Sequence, residues 1–318
     1  MNQELSIYNF SYVHKMFHNN LENKYFTSYP ITILASISGG QDSICLMKLL
    51  YDFQYIYKWN ITIIHFDHNW RNDSKINVKY YSFTYSKKIY NEELGRIWRY
   101  KSLISLAKNL QCHHIATAHT ISDRFETLFH NLIRGTGLDG YLIISNKNLY
   151  GKKNIQIIRP LYNANRQQLY WFARRLQLPL WTDSTNFDNQ RTRNKIRNEL
   201  LPYIKNQFNT ALDKELSLFL SILYKEIEYL QLKTCFFYKI LIHPIKCAIN
   251  KRLLLSLHKC IQNRIIKLFL TKNTHNEISA KYIEVILNEY KNNNKIIYID
   301  NCYGVYIGLK WIYIIRKL

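Results

Sequence analysis

Two glycines and an acid at the end of an apolar run form the first stretch able to do chemistry: Ser38-Gly39-Gly40-Gln41-Asp42-Ser43. Glycine lets the backbone approach a ligand closely, and the free N–H groups at a helix start make an anion site. Ser38 and Ser43 add hydroxyl donors. Asp42 would repel phosphate on its own, so its presence makes sense with a Mg²⁺ ion between the two. The plain alternative is a tight turn with an aspartate cap. Further along come His65-Phe66-Asp67-His68, then His119, then Asp123 and Glu126. On a strand His65 and Asp67 share one face and His68 takes the other, so nucleotide contact or loop ordering is expected there ahead of metal binding. Asp123 and Glu126 lie three apart and share a helix face. They suit an ammonium group or a metal, and a solvated acidic helix start is an equal alternative. Arg193 and Arg197 are one helical turn apart and could reach phosphates or bases together, with Asp183, Asn186 and Asn194 close in sequence. A cap and salt bridges joining two domains would explain the same residues.

The elements around these residues alternate. Ile31 to Ser38 reads as a buried strand entering the glycine turn. From Asp42, the residues Ile44, Leu46, Met47 and Leu50 fall at helical spacing. A strand is expected over Ile61 to His68. A helix follows over Glu92 to Leu110, with Leu94, Ile97, Leu103, Ile104 and Leu106 as core positions. Another strand covers His113 to His119. The helix Ser122 to Arg134, with Phe125, Leu128, Phe129, Leu132 and Ile133 as its apolar residues, ends at a Gly135 cap. Ile155 to Leu161 is a strand and Arg166 to Gln177 a helix. This order predicts an α/β fold, a parallel sheet with helices on both faces. In such sheets ligands sit beyond the carboxyl ends of the strands, where Ser38 to Ser43, His65, Asp67, His68 and His119 all fall. After Phe208 the pattern changes to long helical stretches (Leu212 to Leu232, Asn250 to Leu270, Ile278 to Tyr290), then strands turning near Asn301 to Gly304. Two domains are therefore expected, residues 1–208 with the phosphate loop and a smaller, mostly helical α+β domain over 209–318.

Composition narrows the partners. Lys and Arg number 44 against 22 Asp and Glu, a formal charge of +22. Such an excess favours polyanions, nucleic acid above all. Tyr, at 26, and many Asn, Ile and Lys point to an AT-rich genome, which itself contributes lysine. The six cysteines contain no C-x-x-C pair and read as buried, reduced thiols. No apolar stretch of about 18 residues that could span a membrane is read, and no signal peptide is expected from the first residues.

The motifs together resemble a family. Ser38-Gly39-Gly40-Gln41-Asp42-Ser43 resembles the pyrophosphate loop of the N-type ATP pyrophosphatases, which split ATP into AMP and pyrophosphate; the kinase-type G-x-x-x-x-G-K loop is not found. Within them the order of motifs resembles the lysidine synthetases. The carriers are His65-Phe66-Asp67-His68-Asn69-Trp70-Arg71, Glu93 with Arg96, Arg99 and Tyr100, and Ala118-His119 with Asp123, Glu126 and Thr127. Arg134-Gly135-Thr136-Gly137, Arg159-Pro160-Leu161, Trp181 to Asn186, and Arg193-Asn194-Lys195-Ile196-Arg197 complete the set. These matches cover roughly residues 31 to 205; the C-terminal part is only weakly similar. Gly95 stands in an alanine place, Ser122 replaces an aspartate and Arg124 a common glutamine, as in cyanobacterial and plastid members. The stretch between Arg71 and Glu93 is shorter than in many bacterial members, which leaves the strand count there open.

The resemblance implies ATP with Mg²⁺ on Asp42, free L-lysine, and the CAU-anticodon isoleucine tRNA as substrate, with a plastid stroma or an AT-rich bacterial cytoplasm as compartment. It implies that Ser38 to Ser43, His65, Asp67 and His119 hold the nucleotide. Asp42, Arg99, Asp123, Glu126 and Arg134 would act in the chemistry, and Asp183, Asn186, Arg193, Asn194 and Arg197 would face tRNA. A tRNA thiolase of the same fold and a non-catalytic RNA-binding protein are the other readings. A homodimer is left open.

Overall fold

The computed structural model describes residues 11–21, 31–67, 81–84, 92–144, 147–150, 155–180, 192–274, 278–289, 294–300 and 302–316. They form two compact units, Met1–Ser221 and Ile222–Leu318.

In the first unit the apolar runs become strands of one sheet. β1 (Thr32–Ser36), β2 (Asn60–Asp67), β3 (Tyr81–Thr84), β4 (His114–Thr117), β5 (Lys147–Tyr150) and β6 (Ile155–Ile158) lie in the order β3-β2-β1-β4-β6-β5. All neighbours are parallel except the β5–β6 edge pair, which is antiparallel. Neither edge strand was legible: Lys147-Asn148-Leu149-Tyr150 shows no apolar alternation, and β3 falls in the stretch whose strand count was open. Along β1 alternate side chains serve opposite faces, as the strand period requires. Ile33 and Ala35 join one core with Leu46, Leu49, Leu50 and Phe53 of α2 (Gln41–Tyr57) and with Leu169 and Phe172 of α5 (Arg166–Arg175). That core also takes Val13 and Phe17 of α1 (Tyr12–Leu21). Leu34 points the other way, onto Leu103, Leu106 and Ala107 of α3 (Glu92–Asn109). Helices therefore cover both faces, as expected.

Two readings of helix faces need correction. Leu94 and Ile97 are 62% and 44% exposed, while Gly95 is buried and Trp98 packs on the core in their stead. In α4 (Ile121–Ile133), Phe125 and Leu128 are buried but Leu132 and Ile133 are exposed. Apolar spacing finds a helix, but which part of its length meets the sheet depends on the neighbours. The cysteine reading also changes: Cys45 and Cys112 are buried, whereas Cys235, Cys247 and Cys302 are exposed, and all six are free.

Gly135 ends α4 as anticipated. Its φ is +68°, its N–H donates to Leu132 O at 3.1 Å, and Thr136 N–H reaches Asn131 O at 3.1 Å, the paired bonds of a left-handed helix stop. Further on, α6 (Thr192–Lys195), a π-turn over Ile196–Leu200 and α7 (Leu201–Gln207) follow one another directly. Pro202 has no N–H and its ring crowds the carbonyl four residues back. The wider turn relieves this, with Leu201 N–H bonding Ile196 O.

The division between units falls inside α8 (Leu212–Leu241). In the second unit β7 (Ala248–Asn250), β8 (Lys295–Tyr298), β9 (Tyr303–Ile307) and β10 (Trp311–Arg316) form an antiparallel sheet in the order β7-β10-β9-β8. Val305, Ile307 and Ile312 pack on α10 (Lys259–Thr274) through Ile265, Ile266 and Phe269, and on α11 (Ala280–Asn288) through Ile283 and Ile286. The single helix expected over Asn250 to Leu270 is broken: α9 (Lys251–Leu255) stops, and Gln262 Nε2 caps the free carbonyls of Leu255 and Leu257 at 3.2 and 2.7 Å. The strands turn where expected, with Asp300 Oδ1 accepting from the N–H groups of Cys302 and Tyr303.

Candidate functional site

The sheet reverses its strand order between β1 and β4, and open parallel sheets bind ligands at that crevice. The loops leaving β1 and β4 carry the motifs. After β1, Gly39 takes φ +85°, a conformation that favours glycine. Gly40 precedes α2 and no side chain caps its first turn. Ser43 is buried and donates to Gly40 O at 2.8 Å; Ser38, exposed, donates to Ser43 Oγ at 3.3 Å. A loop whose hydroxyls brace its own backbone, and whose helix start is left uncapped, fits a bound phosphate group.

Three helix starts meet here. Asp42 lies in the first turn of α2, Asp123 in that of α4, and Arg166 opens α5. Ile121 N–H bonds Ala164 O at 3.0 Å, tying α4 to the approach of α5, and Gln41 Nε2 bonds Arg166 O at 2.9 Å, tying α2 to it. Each guanidinium nitrogen of Arg166 then faces a different carboxylate: Nε to Asp42 at 3.3 Å, Nη2 to Asp123 at 3.0 Å, and Nη1 to Glu126 at 3.1 Å. Glu126, only 4% exposed, is also gripped by both ends of Arg197, at 2.6 and 3.0 Å. Asp123 Oδ2 accepts from the N–H and hydroxyl of Thr120 at 2.7 and 3.0 Å.

The environments of the two aspartates differ. Burial pushes the Asp42 carboxyl above its usual range, with Arg166 only partly offsetting this. Burial would raise Asp123 as well, but Arg166, His119 and the Thr120 donors outweigh it and hold the carboxyl below its usual range. Arg166 thus compensates the Asp42 charge only in part, and a carboxylate at this place beside the phosphate loop would suit a Mg²⁺ ion.

The histidines stand on either side. His65 is buried in β2 and its Nδ1 lies 2.9 Å from Ile37 O, which steadies the strand feeding the glycine loop. His119 Nδ1 lies 3.0 Å from Thr117 Oγ1. Burial, reinforced by Arg159, Arg96 and Arg99 against the pull of Asp123, lowers its pKa from 6.5 to about 4. The folded ring is neutral, so an unfolded chain takes up a proton first as pH falls below 6.5. The contribution of His119 is full above that pH and is lost between 6.5 and about 4. Urea midpoints should therefore fall across this window, and His119→Asn should flatten the fall; equal slopes would contradict the neutral, half-buried ring.

The remaining expected residues scatter. Arg99 lies close enough to lower the His119 pKa. Arg134 is exposed past the end of α4, about 12 Å along the helix from Glu126 at the usual rise. Arg193 and Asn194 lie on α6, partly exposed. The Asp67 side chain, and all of His68, Asp183 and Asn186, lie outside the described residues. Sequence reading missed Arg166; the signal available was a basic residue at a helix start, where a cation opposes the dipole. It also left Arg124 without a role: the guanidinium is buried and stacks 3.8 Å from the Tyr162 ring centroid. Among the described residues no group of three or more His, Cys, Asp or Glu is arranged to hold a metal.

The PP-loop domain family matches residues 13–204. A chloroplastic tRNA(Ile)-lysidine synthase of Pyropia yezoensis is 36% identical over 299 residues, covering 89% of this chain and 91% of that protein. Another from Gracilaria tenuistipitata is 32% identical and covers 96% and 99% respectively. A tRNA(Ile)-lysidine synthase of the cyanobacterium Nostoc is 37% identical over 69% of this chain and 67% of its own. A solved tRNA thiolase of Methanococcus maripaludis superposes with a TM-score of 0.52 over 66% of this chain and 78% of that one, at 15% identity, which shows the shared fold.

Proposed function

Because the chain belongs to the PP-loop domain family and, within it, to the tRNA(Ile)-lysidine synthases, we propose that it joins free L-lysine to C2 of the wobble cytidine in the CAU-anticodon isoleucine tRNA. ATP would be consumed and AMP and pyrophosphate released. The observation carrying this reading is the meeting of the glycine loop with the Asp123–Glu126 pair at one crevice.

The reaction divides into two displacements. Cytosine O2 attacks the α-phosphorus and pyrophosphate leaves; the lysine amine then attacks C2 and AMP leaves. A carbonyl oxygen leaves poorly, and adenylation cures this. The Gly39–Gly40 backbone and the Ser38 hydroxyl donate to the departing diphosphate. Asp42 would hold Mg²⁺, which supplies charge to the same group. His65 and the neutral ring of His119 would border the nucleotide. Asp123, held ionised, and Glu126 attract the lysine ammonium, and one acidic side chain of the pair would accept its proton. Arg99 would approach the α-phosphate or the base, whereas Arg134 stands at the end of α4 away from the phosphate loop. The domain over residues 209–318, with Asp183, Asn186, Arg193 and Asn194, would face the tRNA, while Arg197 is engaged by Glu126. The chloroplast and cyanobacterial relatives fit a plastid or a bacterial cytoplasm, and we favour the plastid stroma. Among the described residues no helix is long and apolar enough to cross a membrane.

The direct test is incorporation of labelled lysine into this tRNA with ATP and Mg²⁺, with AMP as the nucleotide product; ADP would exclude the proposed chemistry. With a charge of +22, tRNA affinity should fall roughly a thousandfold or more between 50 and 200 mM salt if six or more phosphates are contacted. A filter-binding series reads this, and a flat response would argue against phosphate-dominated binding.

A further inference from the structure

Arginine at the first position of a helix opposes the dipole and needs a reason to be there. At Arg166 the reason is not packing, since its three nitrogens are spent on carboxylates from two other helices. Its place is rigid. Asn165 and Gln168 cap each other's backbone N–H groups at 2.8 and 3.0 Å, and Gln41 holds the Arg166 carbonyl. The side chain thus spans from the phosphate loop, at Asp42, to the pair proposed to bind the amine, Asp123 and Glu126.

The bridge has a second consequence: two of its donors aim Asp123 and Glu126, so removal of Arg166 would release both carboxylates from their present positions. Lysine in its place would supply the charge but not three separately aimed donors.

We propose that Arg166 is a positioning residue that registers the two half-sites and holds Asp123 and Glu126 in place for the side-chain ammonium of the free amino acid. This rests on the ligase reading above. Arg166 lowers the carboxyl pKa of Asp123, so its loss moves the acid limb of activity to higher pH.

The test compares the full-length wild type with Arg166→Gln and Arg166→Lys in lysine incorporation, across pH, with tRNA-dependent pyrophosphate exchange without lysine as the readout of the first step. In Arg166→Gln the lysine KM should rise tenfold or more, by a larger factor than the ATP KM in exchange, and the acid limb should shift upward. Arg166→Lys should keep the wild-type acid limb with a lysine KM raised severalfold. A glutamine variant with a lysine KM within twofold of wild type, or with both KM values raised in proportion and an unmoved acid limb, overturns the proposal. If that variant does not fold, a lysine variant with wild-type lysine KM overturns it alone. Absence of incorporation by the wild type would sink the ligase reading and this inference together; normal wild-type incorporation with unaffected variants would sink only the inference.

Discussion

Asp42→Asn should cut lysine incorporation about a thousandfold while leaving the fold in place. The substitution keeps the size of the side chain and removes its charge. Removing a single group that stabilises developing charge costs about 10²–10³ in rate where water is excluded, and an absent metal ligand adds to this. Folding should be nearly indifferent, because burial already pushes the Asp42 carboxyl above its usual range and Arg166 offsets this only in part. The decisive measurement is single-turnover incorporation at saturating ATP, with a circular-dichroism melt as control. Activity within tenfold of wild type, with an unchanged melt, would remove Asp42 from the chemistry.

Glu126→Gln should act on both stability and activity. Glu126 is 5% exposed at its side chain and is held by Arg166 and Arg197, which are 30% and 26% exposed. Breaking such a pair from one side strands the remaining charges and costs about 3–5 kcal/mol; the residual exposure of the arginines places this near the lower figure. For a unit of this size that corresponds to roughly 6–12 °C in melting temperature. Lysine incorporation at a permissive temperature should also fall, because one of the two proposed amine ligands is neutralised. A melting temperature within about 2 °C of wild type would show that the bidentate Arg197 grip contributes little. Loss of stability without a rise in lysine KM would make Glu126 a structural residue and leave Asp123 to bind the amine.

Local signals were legible and long-range ones were not. Gly39-Gly40 between an apolar run and a helical pattern announced the phosphate loop, and Gly39 adopts φ +85°. Gly135 announced the end of α4 and takes φ +68°. The spacing of Asp123 and Glu126 put both on one side of α4, and both meet Arg166. Leu94 and Ile97 failed as core positions because periodicity marks a stripe along a helix without saying how much of it is covered. Strand β5 escaped because an edge strand paired on one side has no need of an apolar pattern.

Sequence alone settled the alternation of strands and helices, the turn that fits phosphate, and the ordered motifs that place the chain in its family. Each of these rests on interactions within a few residues, where backbone dihedrals and side-chain period leave a readable trace. Only the tertiary structure decided that Arg166 reaches Asp42 across 124 positions and that Arg197 reaches Glu126 across 71. Those pairings follow from the strand order, which gathers the starts of α2, α4 and α5 at one crevice, and no stretch of neighbouring residues encodes that gathering.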